Sequence, residues 1–106
     1  MSYTLKNIYT KPNAETEINF WDGTPIVDQI DTYFDAGKIT QKPVKVVDGL
    51  IETYTTIFKD EASYDEFNLE QDNIGRANET KRDKHCSDNS ISWSVTDGDG
   101  VAIEGD

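Results

Sequence analysis

Val44-Lys45-Val46-Val47-Asp48-Gly49-Leu50-Ile51-Glu52-Thr53-Tyr54-Thr55-Thr56-Ile57-Phe58 is the stretch that decides the fold. Two runs rich in β-branched and aromatic residues flank Asp48-Gly49. Asp-Gly in that setting is the strongest short-range hairpin signal, because both central residues of a type I′ turn need positive φ. Residues 44–47 and 50–58 are therefore expected to pair as antiparallel neighbours, with Pro43 opening the first strand.

Upstream, Thr24-Pro25 marks a helix start. Thr24 can cap, and Pro25 suits the first helical position, where its missing N–H has no intrahelical partner. Ile26, Ile30, Tyr33 and Phe34 follow at helical spacing, Val27 widens the stripe, and Gly37 ends a helix over 24–37. Earlier still, residues 2–11 alternate until Pro12 stops the run, which predicts a strand with Tyr3, Leu5, Asn7 and Tyr9 on one side. Residues 12–23 read either as a short helix capped by Asn13 or as an irregular loop.

Downstream, Asp60 caps a second helix with Glu61 in its first turn, where the helix dipole favours an anion. Phe67, Ile74 and Ala77 share its apolar stripe with Tyr64 beside it, and Lys81, Arg82, Lys84 and His85 gather at the far end. Leu69 falls off this stripe, and Asn68 with Gln71 resembles a capping box, so a break is expected near Asn68; Gly75 further weakens the middle. Residues 90–96 alternate again, Ile91, Trp93 and Val95 against serines, as the last strand. Residues 97–106 read as an acidic, glycine-rich, flexible tail after a single domain over 1–96.

The order strand, helix, strand, strand, helix, strand predicts an α+β, ferredoxin-like β-α-β-β-α-β fold. It is a four-stranded antiparallel sheet with both helices on one face, the first and last strands flanking the third. Ile51 and Ile57 point one way along the third strand, Leu50, Tyr54 and Phe58 the other. A sheet wet on one side alternates more cleanly, so the helix-free face is expected to be covered by a second copy in a homodimer. A hydrophobic fraction of 35 %, below the usual ~45–50 %, points the same way.

A formal charge of −11 disfavours nucleic acid and anionic membranes as partners. It suits solubility, or docking on a basic protein. Cys86 is the one cysteine, so no internal disulfide forms, as suits a reducing compartment. Met1 to Lys6 carry no apolar signal segment, and no apolar run nears the ~20 residues that span a bilayer. A cytoplasmic location is expected.

The passage Thr55-Thr56-Ile57-Phe58-Lys59-Asp60-Glu61-Ala62-Ser63-Tyr64-Asp65-Glu66-Phe67 resembles the dimeric α+β barrel superfamily, which contains the antibiotic-biosynthesis-monooxygenase-like proteins. There too a strand ends in a polar turn, and a helix begins with acidic residues followed by an aromatic. The resemblance implies a homodimer with facing sheets and pockets between sheet and helices. It implies activities as different as cofactor-free oxygenation, haem degradation, peroxidation and lactone isomerisation, and a fold alone does not choose among them. The cofactor-free oxygenases use an Asn, Trp, Trp set that the spacing here does not match.

Candidate site residues are few. Trp21, Tyr54 and Trp93, with Tyr33 and Phe20 as companions, suit an aromatic ligand pocket; the plainer reading makes Trp93 core. His85 is the only histidine and would be the axial ligand of a haem-binding relative, but a basic helix end explains it more simply. His85-Cys86 offers two metal ligands where zinc needs three or four, so no metal and no cofactor is expected. Asp97-Gly98-Asp99-Gly100 resembles the start of a calcium loop that lacks its twelfth position. The function expected is a small homodimeric module that binds an apolar or aromatic molecule through Trp21, Tyr54, Trp93 and His85. The alternatives are a cofactor-independent monooxygenase or isomerase, and an acidic module that binds a basic protein.

Overall fold

The computed structural model describes residues 2–97 and 102–104. Its elements in chain order are β1 (Tyr3–Thr10), α1 (Ile26–Asp35), β2 (Ile39–Asp48), β3 (Ile51–Phe58), α2 (Glu61–Asn73), α3 (Ala77–Asp88), β4 (Ser92–Asp97) and β5 (Ala102–Glu104). All pairings in the sheet are antiparallel, in the order β2-β3-β1-β4-β5. This α+β arrangement is compatible with a ferredoxin-like fold. It carries two helices rather than one between β3 and β4, and a fifth strand at the edge. The last long strand, β4, lies against β1 and not against β3 as the sequence reading had it.

The hairpin forms with a different turn. Asp48 pairs with Ile51, which leaves Gly49-Leu50 as the central residues. Among the described non-glycine residues only Arg76 and Ser90 take positive φ, so of this central pair Gly49 alone does, at 60°. That is the pattern of a type II′ turn rather than I′. β2 also starts earlier than expected, and Pro43 sits not at its start but within an irregularity of the β2–β3 register between Gln41 and Val44. A proline has no N–H for the ladder, and β2 is an edge strand where that is tolerated.

Helix ends follow local chemistry. The Asp60 carboxylate accepts the Ser63 backbone N–H at 2.9 Å, the expected cap of α2. At α1, Pro25 itself occupies the cap position, and the Thr24 hydroxyl donates back to the Trp21 carbonyl at 2.6 Å instead of capping. The long second helix breaks at Ile74-Gly75-Arg76, not at Asn68: Gly75 and Arg76 both have positive φ, at 69° and 50°. The Arg76 guanidinium staples the break by bonding Asp72, Glu79 and Asn68. Residues 12–23 are irregular, with an Asn13 side chain that accepts the backbone N–H groups of Glu15 and Thr16. Ala102–Glu104, expected within a loose tail, pair with β4; positions 98–101, which hold most of the calcium-like motif, lie outside the described residues.

The core sits on one face of the sheet, in two separate clusters. One joins Tyr9, Ile18, Phe20, Cys86 and Ile91, with Trp21, Tyr54 and Trp93 packed against it. The other joins Tyr33, Ile39, Phe58, Tyr64 and Phe67. The pairing register places Thr4, Lys6, Ile8 and Thr10 of β1 on the opposite face, opposite Ile57, Thr55, Thr53 and Ile51 of β3. Val44 and Val46 extend this face. It is threonine- and serine-rich toward β4 and apolar toward β2. No described helix is long and apolar enough to cross a membrane.

Candidate functional site

A cleft of about 440 Å³ lies between the two core clusters, with the sheet as its floor and the helices as its roof. The floor comes from the strand alternation: Leu5, Asn7 and Tyr9 of β1, Tyr54, Thr56 and Phe58 of β3, Lys45 of β2 and Val95 of β4. Ile26, Val27 and Ile30 of α1 close one side, and Tyr64 and Phe67 of α2 line the roof beside them. The size falls within the range of small-molecule sites.

One wall is a closed ring of four aromatics. Tyr9 meets Phe20 at 5.7 Å between centroids and Tyr54 at 5.8 Å, Trp21 meets Tyr54 at 5.6 Å, and Phe20 meets Trp21 at 5.1 Å. Tilted and edge-to-face contacts of this kind add about 0.5–1.5 kcal/mol each beyond burial. They hold the irregular 12–23 segment on the sheet, and α3 anchors it further: the Lys81 ammonium donates to the Asp22 carbonyl, and His85 Nε2 lies 2.6 Å from the Glu17 carbonyl.

The opposite stretch of roof is polar. Gln71, Asn78, Glu79 and Arg82 line it from the end of α2 and the start of α3. The Gln71 amide donates to Gln29 Oε1, and Gln29 in turn donates to the Phe67 carbonyl at 3.0 Å, which ties α1 to α2. Arg82 is buried, lies 3.2 Å from Asp83 and 3.7 Å from Glu79, and stacks 3.7 Å above the Trp93 ring. Glu79 is also held by Arg76. At the mouth, Asp31 pairs with Lys42 at 3.0 Å. The side-chain oxygens of Gln71 (Oε1) and Asn78 (Oδ1) are buried without a hydrogen-bond partner.

On the same face of the sheet, next to Tyr54, Glu52 is buried with Lys11 at 3.0 Å and accepts the Tyr54 hydroxyl at 2.9 Å, with Lys45 at 3.5 Å. Burial alone raises the Glu52 carboxyl, but the hydrogen bonds from Lys11 and Tyr54 and the two lysine charges outweigh it, and the net shift is downward. The Tyr54 phenol is pushed up by burial and by Glu52, and Tyr9 by burial against the opposing Arg82 charge. Both phenols therefore stay protonated at neutral pH. Burial likewise raises the Cys86 thiol.

Of the four residues singled out from sequence, the structure brings two together. Trp21 and Tyr54 line the cleft with Phe20. Trp93 packs behind it as core, under Arg82, and Tyr33 is buried in the other cluster. His85 lies beside a separate shallow surface depression with Glu17 and Asn89. Among the described residues no group of three or more His, Cys, Asp or Glu could hold a metal ion. Sequence reasoning passed over the polar roof. Its signal was present in Gln71, which sits four residues after Phe67 and seven after Tyr64, on the same helical stripe. No protein-family model matches this chain, and no curated protein or solved structure is significantly similar to it.

Proposed function

We propose that this protein binds a small, largely flat apolar or aromatic molecule in the cleft between sheet and helices. The observation that carries the reading is the ring of Tyr9, Phe20, Trp21 and Tyr54 facing an opening of about 440 Å³. The titratable groups there are already committed: Asp31 to Lys42, Glu79 to Arg76, Arg82 to Glu79 and Asp83, and both Lys45 and the Tyr54 hydroxyl to Glu52. Such a lining holds a guest better than it moves protons, which favours a binding module over an enzyme. Titration of the ¹⁵N-labelled protein with 2-naphthol tests the reading. Shifts concentrated at Tyr9, Trp21, Tyr54 and Phe67 are expected; shifts absent there, or spread evenly over the surface, would refute it.

The same reading includes a homodimer through the helix-free face. Val44, Val46 and Ile51 support it, being 46 %, 57 % and 41 % exposed on neighbouring strands of that face, a patch that a second copy would cover. Sedimentation at micromolar concentration decides it, with a dimer expected.

A further inference from the structure

Resting on the cleft reading, we infer that the guest is neutral and carries a hydrogen-bond donor, an aromatic alcohol or amine whose O–H or N–H is received by Gln71 Oε1 and Asn78 Oδ1. The cleft is chemically two-sided. Aromatic rings make one wall and the floor, while Gln71, Asn78, Glu79 and Arg82 make the polar roof at the α2–α3 break. Gln71 is only 5 % exposed, and its donor side is used by Gln29 while its acceptor oxygen has no partner. Asn78 likewise has a buried Oδ1 without a hydrogen-bond partner. A buried carbonyl oxygen without a donor costs about 1–3 kcal/mol. Two such oxygens, on cleft-lining residues either side of the α2–α3 break, mark the place where a guest's donor belongs.

Charge argues for neutrality. Lys42, Lys45 and Arg82 in the lining offset Asp31 and Glu79 to within one unit, and the chain as a whole, at −11, repels anions. A carboxylate or phosphate would bring only acceptors to the two oxygens that already lack a donor.

The test pairs 2-naphthol with its methyl ether, 2-methoxynaphthalene, which has the same rings and no donor. Calorimetric titration of the full chain is expected to show the naphthol binding about five- to tenfold more tightly, the worth of one hydrogen bond. In Asn78→Leu and Gln71→Met that preference shrinks while the ether still binds. Gln71→Met also strips the bond to Gln29, so Asn78→Leu is the independent arm should the other variant fold poorly. Equal affinity of the two probes for the unaltered protein, as when water alone serves the two oxygens, would overturn the donor inference and leave the cleft reading standing. A preference that survives in both variants would overturn the assignment to these residues. Binding of neither probe would remove the cleft reading itself.

Discussion

Glu52 shows how one residue sets a pH limit on the whole domain. Its carboxylate is buried with Lys11 and fed by Tyr54 and Lys45, and its pKa is held down. A carboxyl lowered on folding stabilises the native state above its unfolded value and loses that contribution as pH falls from there through the folded one, because in that window the unfolded chain binds a proton that the native state does not. The urea midpoint is therefore expected to drop below about pH 4, the ordinary carboxylate range, and less steeply in Glu52→Gln than in the unaltered protein. At neutral pH Glu52→Gln leaves Lys11 buried and uncompensated, at a cost of about 3 kcal/mol in chemical unfolding. Cys86 gives a second test at this scale. It is 2 % exposed and its thiol is raised by burial, so Ellman's reagent at pH 8 should label it only at the rate of unfolding. Rapid labelling of the native protein would contradict its placement in the core.

At the scale of elements, the α2–α3 break is the most informative. Gly75 has φ of 69° and open space where a Cβ would go, so Gly75→Ala carries a conformational cost without a clash. That cost is about 1 kcal/mol, or a fall of about 5 °C in melting temperature for a domain of this size. An unchanged melting temperature would mean that the break tolerates an ordinary residue. Much of the element order was legible beforehand, because the hairpin, the Asp60 cap and the alternation of β1 and β4 are local signals. The break was placed at Asn68 because an Asn-x-x-Gln spacing mimics a capping box, whereas the structure spends Gln71 on a bond to Gln29 in another helix. The turn type was misread because Asp-Gly was assigned both central positions, when pairing of Asp48 with Ile51 leaves Gly49 first of the two. The candidate site was half legible. Aromatics declare themselves by type, so Trp21 and Tyr54 could be named in advance. The roof residues could not, since only tertiary packing shows that the inward stripe of α3 is Asn78, Glu79 and Arg82.

For the whole molecule, the uneven helix-free face bears on the dimer proposed above. Its exposed large apolar side chains lie on β2 and β3, so Val46→Lys is expected to turn the proposed dimer into a monomer with little change in melting temperature. A dimer that persists in this variant would place the interface elsewhere. The two aromatic clusters carry a different implication. Each is complete by itself, and the space between them is filled by no side chain. The interior thus lacks its middle, and a bound molecule would act as a keystone as well as a cargo. Heat resistance should then climb with ligand concentration, and amide protons on both flanks should slow their exchange together once the gap is spanned.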